Sequence, residues 1–253
     1  MKYKNFVFDL YGTLIDVFTD DDSPKTDEAM AAFFAEHGAP YSPEEFGESF
    51  RELRRKQSEC RMGSVYVPTG ERICYPETDV VKIYEELFKA KGVLGAAEYA
   101  VLAARYYRKI SIVKFRLYPG VMELFHCLKE AGRGIYLLSN AQREYTLYDL
   151  ELVEIKTMFD GILLSSDYNC RKPDPIFFRE LTRQFGVRPE ESLMIGNDRS
   201  SDIYGAELFG MDSVLFVSDK RLAEPMDGVK STYTLESGTY REFMGILPGL
   251  LSL

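Results

Sequence analysis

The sequence predicts an α/β protein: a doubly wound, mostly parallel sheet, with a helical segment inserted after the first strand. Three observations carry this. From residue 118 onward, short apolar runs alternate with helical periodicities, the rhythm of strand–helix–strand units whose parallel sheet is covered on both faces. A further apolar run, Asn5-Phe6-Val7-Phe8, stands at the beginning. Between the two, residues 17–116 repeat their apolar positions at helical rather than strand spacing.

The first run ends at Asp9, before Gly12 and Thr13. A carboxylate at the end of a buried strand is costly unless something positive pairs with it, and in an open α/β sheet that edge is where ligands bind. The chain then turns acidic, with Asp16, Asp20, Asp21 and Asp22, read as a solvated turn. Ser23-Pro24 opens a helix carrying Met30, Phe33 and Phe34 and closed by Gly38. Ser42-Pro43-Glu44-Glu45 reads as a capping box, and its helix carries the basic run Arg54-Arg55-Lys56. Residues 62–78 read as irregular or hairpin-like around Pro68-Thr69-Gly70. Two further helical patterns hold Ile83, Tyr84 and Leu87, then Tyr99, Leu102 and Tyr106.

The alternating part gives a helix ending at Gly132, then a strand, Gly134–Leu138, that runs into Ser139-Asn140. A weaker helix leads to the strand Gly161–Leu164. Arg171-Lys172-Pro173-Asp174-Pro175 follows, with Asp174 as cap of the next helix. Strand Leu193–Ile195 enters Gly196-Asn197-Asp198-Arg199-Ser200-Ser201-Asp202, and a short helix ending at Gly210 precedes the strand Ser213–Val217. Each polar cluster thus follows a strand. In a parallel sheet such loops share one edge, so Asp9, Ser139, Lys172, Asp198 and Asp202 are expected to converge.

Composition narrows the partners. A net charge of −9 and a pI near 5.0 argue against nucleic acid or an anionic membrane. No run reaches the ~18–20 apolar residues of a membrane span, and Asp9 interrupts what would be a signal peptide. Cys60, Cys74, Cys127 and Cys170 have no paired spacing, which predicts reduced thiols in a cytoplasmic protein rather than a disulfide frame or zinc site.

Asp9-Leu10-Tyr11-Gly12-Thr13-Leu14 after an initial strand, Ser139-Asn140, Lys172-Pro173-Asp174-Pro175 and Gly196-Asn197-Asp198 with Asp202 together resemble the motifs of the haloacid dehalogenase-like (HAD) hydrolases. The resemblance implies a Rossmann-like core from 1–16 and 117–253, with 17–116 as a helical cap. It makes Asp9 the nucleophile of a covalent aspartyl intermediate, oriented by Lys172. Thr13, Ser139 and Asn140 would contact substrate. Asp9, the carbonyl of Tyr11, Asp198 and Asp202 would hold Mg²⁺, a hard cation that bridges to phosphate. The implied function is a Mg²⁺-dependent phosphatase acting on a small phosphorylated molecule.

One position departs from the phosphatase pattern. Tyr11 stands where most phosphatase members carry a second Asp as acid/base, and the haloacid dehalogenases proper also have Tyr there. Arg54 resembles the cap Arg with which those enzymes bind halide or carboxylate. Two other readings stay open: a metal-independent 2-haloacid dehalogenase, and a non-catalytic module that binds a phosphorylated ligand. Three carboxylates without a metal would repel one another unless protonated, which favours Mg²⁺ and phosphoryl transfer. Specificity is expected in cap loops such as Val65 to Tyr75.

Overall fold

The computed structural model describes residues 2–21, 23–61 and 70–252. Asp22 and the Val65–Thr69 part of the expected specificity loop, with the turn at Pro68-Thr69, lie outside the described residues.

Strands β1 (Asn5–Phe8), β4 (Gly134–Ser139), β5 (Gly161–Leu164), β6 (Ser192–Gly196), β7 (Asp212–Phe216) and β8 (Tyr233–Leu235) form a six-stranded sheet in the order β5-β4-β1-β6-β7-β8, and every neighbouring pair is parallel. β1 is central, its Phe8 in register with Leu137 on one side and Ile195 on the other. Its side chains alternate as the pleat requires. Phe6 and Phe8 point to a layer built by α5 (Val121–Glu130) and α10 (Tyr240–Ser252), while Val7 faces α8 (Pro175–Phe185) through Phe177, Phe178 and Leu181. Burial on both faces explains why β1 reads as a continuous apolar run. The two remaining sheet-side helices of note are α6 (Arg143–Leu152) and α9 (Tyr204–Phe209), with a short α7 (Ser165–Tyr168) after β5.

The inserted segment holds α1 (Pro24–Glu36), α2 (Pro43–Arg61), α3 (Val80–Ala90) and α4 (Ala96–Ser111). These four pack on their own apolar cluster, in which Phe34 stacks on Phe88 at 4.0 Å between centroids. Ser23 caps α1 through Lys25 N as the Ser-Pro signal predicts. Ser42 Oγ likewise accepts from Glu45 N, but the box is not closed by Glu45: its carboxylate pairs with Lys91, and Ser42 donates to Glu44.

Two corrections concern the ends of this insertion and of the chain. The segment is not helical from 17 to 116. It enters and leaves through an antiparallel ribbon, β2 (Ile15–Thr19) with β3 (Ile112–Leu117), pinned by Asp16 against Lys114 and Arg116. Asp16, which read as loop, is the ion-pair partner across it. Beyond Val217 the sequence reading assigned nothing, yet β8 and α10 close the sheet edge. Tyr240 of α10 stacks on Phe216 and its hydroxyl donates to the Thr13 carbonyl. Among the described residues, no helix is long and apolar enough to cross a membrane.

Candidate active site

Asp9 sits one residue past β1, at the carboxyl edge, with its backbone N–H donating to Ile195 O. Asp9 is 7% exposed, and three side-chain donors hold its carboxylate. Lys172 Nζ lies 2.7 Å from Asp9 Oδ1, and Ser139 Oγ donates to the same oxygen at 3.2 Å. Thr13 Oγ1 approaches Asp9 Oδ2 at 3.2 Å. Lys172 also bonds Asp202 Oδ1 at 2.7 Å, and the Asp198 N–H donates to Asp202 Oδ2.

Lys172 is therefore a buried ammonium held between two carboxylates. Burial alone would lower its pKa, but the charges of Asp202 and Asp9 outweigh it and hold the ammonium above its ordinary range. Burial raises Asp202, against the pull of Lys172 and with the push of Asp9. Removing one member of such a buried set leaves an uncompensated charge and costs about 3–5 kcal/mol. Asn140 supports it indirectly: its side chain amide donates to Lys172 O and its Oδ1 accepts from Lys172 N. That ring ties the Asn140 amide to the lysine backbone, although the side chain also lines the Asp9 cavity, where the substrate contact is expected.

Three further expectations change. The Tyr11 hydroxyl does not face Asp9. It donates to Asp149 Oδ2 of α6 at 2.6 Å, while Arg108 of α4 grips the same carboxylate and lies 5.1 Å from the Tyr11 ring centre. Burial, then the Asp149 charge, push the phenol well above its ordinary range, so it is a poor proton donor as well as a misplaced one. Asp198 lines the Asp9 cavity, but its Oδ1 accepts from Ser200 N and Oγ and its Oδ2 from Ser201 Oγ. It caps the π-helical turn Arg199–Ile203, because a carboxylate at a helix start finds unpaired N–H groups. Arg54 is exposed on α2 and lines a second cavity rather than that of Asp9.

Asn197 takes the place expected of Asp198. It is buried, with Oδ1 3.3 Å from Thr13 Oγ1. Gly12 is required beside it: φ is +78°, and a Cβ there would lie 2.3 Å from Asn197 Nδ2. The signal was in the sequence as the first polar residue after Gly196, but two acids further on drew the assignment past it.

Among the described residues, no three His, Cys, Asp or Glu side chains cluster as a metal centre. The repulsion that argued for a metal is met by Lys172. Two hard oxygens do converge, since Asp9 Oδ2 and Asn197 Oδ1 both lie within hydrogen-bonding distance of Thr13 Oγ1, whose single proton serves one at a time. Two oxygens beside an open cavity of about 250 Å³ fit Mg²⁺, which keeps several of its waters.

A sequence profile of haloacid dehalogenase-like hydrolases matches residues 3–210. The chain belongs to that family. Among curated relatives, this HAD hydrolase is 28% identical over 110 residues to a glyceraldehyde 3-phosphate phosphatase of Pyrococcus furiosus, covering 44% of this chain and 46% of the relative. It is 30% identical over 134 residues to a phosphoserine phosphatase of Thermus thermophilus, covering 53% and 52%. The chain thus spans about half the length of the curated relatives it matches. The fold is also that of a 2-haloacid dehalogenase from Pseudomonas syringae, with a TM-score of 0.64 at 18% identity over 99% of this HAD hydrolase and 98% of the other chain. The family and the parallel α/β core are those the sequence predicts.

Proposed function

We propose that this HAD hydrolase is a phosphatase for a small phosphorylated metabolite, working through an aspartyl-phosphate on Asp9. The observation that carries the reading is the hold on Asp9: Lys172 and Ser139 take Oδ1 and Thr13 takes one lone pair of Oδ2, which leaves the other to attack. A fixed carboxylate with one free lone-pair face is preorganised for in-line attack. The oxygen displaces the leaving alcohol from phosphorus, and water then attacks the same phosphorus and restores the carboxylate.

Lys172 holds Asp9 Oδ1 and offsets charge arriving with the phosphoryl group. Asn197 Oδ1, the Tyr11 carbonyl and the Asp9 carboxylate would hold Mg²⁺, with Asp198, in the same cavity, joining through water. When bound, the ion would screen the negative charge of the phosphoryl group. Residues 17–116 are read as a cap that closes over this edge and excludes water. Phosphatase relatives support phosphoryl chemistry. Free thiols at Cys74, Cys127 and Cys170 support a reducing, cytoplasmic setting.

Tyr11 and Asn197 keep dehalogenation as a second reading, because halide leaves without a proton and a site with one fewer acid needs no metal. The test is p-nitrophenyl phosphate with Mg²⁺ beside 2-chloropropionate with EDTA. The phosphatase reading expects phosphate release that vanishes in Asp9→Asn. Chloride release under EDTA, with no phosphate release, overturns it.

A further inference from the structure

We infer that the leaving group of the substrate is aromatic: the enzyme is built for aryl or heteroaryl phosphate monoesters rather than alkyl ones. The inference rests on the phosphatase reading and deepens it. Two independent observations point the same way.

The first concerns the proton. The only hydroxyl at the position of the usual acid belongs to Tyr11, and it is locked into Asp149, itself gripped by Arg108. General acid help is typically worth ~10²–10⁴-fold. An alkoxide, whose conjugate acid lies near that of water at ~15.7, cannot easily forgo it. A phenolate, near ~10, leaves far more readily unaided. In the balanced step, Asp9 Oδ2 forms the bond to phosphorus and the P–O(aryl) bond breaks. The electron pair departs on the phenolate, which takes its proton from water.

The second concerns shape. A cavity of about 320 Å³ shares Tyr11 and Asn140 with the cavity of Asp9. Phe50, Tyr107 and Tyr145 line it and form a ladder: Phe50 and Tyr107 lie 6.4 Å apart at 26°, and Tyr107 and Tyr145 lie 5.7 Å apart at 22°. The Tyr107 hydroxyl is turned to Asp21 O and that of Tyr145 to Tyr84. With their faces taken up by one another, these rings offer the cavity carbon edges, which accept a substrate ring edge-to-face, beside the charged Arg54, Glu77 and Arg171.

The experiment measures kcat/KM with Mg²⁺ for phenyl phosphate, glycerol 3-phosphate, phosphoglycolate and acetyl phosphate, a reactive acyl phosphate without a ring. Phenyl phosphate should exceed both alkyl esters by at least ~10²-fold, the lower bound of missing acid help. In Phe50→Leu, with folding checked by circular dichroism, the ratio of phenyl to acetyl phosphate should fall about three- to tenfold, the range of one lost ring contact. Tyr107→Leu should repeat the fall. Alkyl esters turned over as fast as phenyl phosphate, or a ratio unchanged in both variants, overturns the inference and leaves the phosphatase reading intact. Hydrolysis of none of the four compounds overturns both.

Discussion

Replacing Arg108 by Met tests how firmly Tyr11 is held away from Asp9. Arg108 is 8% exposed at its side chain and Asp149 is fully buried. The substitution keeps most of the apolar volume and removes all three guanidinium bonds, two from Nε at 3.1 and 2.9 Å and one from a terminal nitrogen. Asp149 keeps the Tyr11 hydroxyl, one neutral donor in place of a charged fork. Breaking one side of a buried pair costs about 3–5 kcal/mol. At roughly 2–4 °C per kcal/mol for a chain of this size, the melting temperature should drop by roughly 6–20 °C. The double variant Arg108→Met/Asp149→Leu should recover most of the loss, since a buried pair exchanged for apolar groups is often neutral. Thermal unfolding by circular dichroism at pH 7 reads both. A single variant within 1 °C of wild type by roughly the same scaling, or a double variant less stable than the single, would refute the idea that this pair is closed and dry.

Three other outcomes follow from the same geometry. Lys172→Met should leave Asp9 and Asp202 facing each other unscreened, lowering kcat by at least ~10²-fold and stability by about 3–5 kcal/mol; phosphate release and chemical denaturation measure the two. Gly12→Ala should cost about 1–3 kcal/mol, since its φ of +78° and the Asn197 amide both oppose a Cβ; a double variant with Asn197→Ala recovers only the steric share, which separates the two causes. EDTA should abolish phosphate release, and Mg²⁺ should restore it; Asn197→Ala should raise the Mg²⁺ concentration needed, read from an activity titration.

The central sheet was legible because burial on both faces writes strands as bare apolar runs, and the carboxyl edge then assembled Asp9, Ser139, Lys172 and Asp202 by topology alone. The ribbon β2–β3 was hidden because its residues alternate charge with apolar side chains, as in Asp16, Lys114 and Arg116, and exposed strands of that kind resemble loop or helix surface. The C-terminal helix escaped for a related reason: Pro248 sits inside it, and proline ordinarily argues against a helix. Side-chain direction was the hardest part. Spacing placed Asp198 at the right loop, yet only the turn geometry decides that its oxygens meet Ser200 and Ser201 while Asn197 faces Thr13. Likewise nothing local to Tyr11 announces Asp149, which is far away in sequence.

The bond from Asp9 to phosphorus can be caught directly. Acid-quenched enzyme, taken during turnover of phenyl phosphate and digested for mass spectrometry, should carry one phosphoryl group on the peptide containing Asp9, absent from Asp9→Asn. Steady turnover with that peptide unmodified, or with the phosphoryl group on another residue, would contradict it.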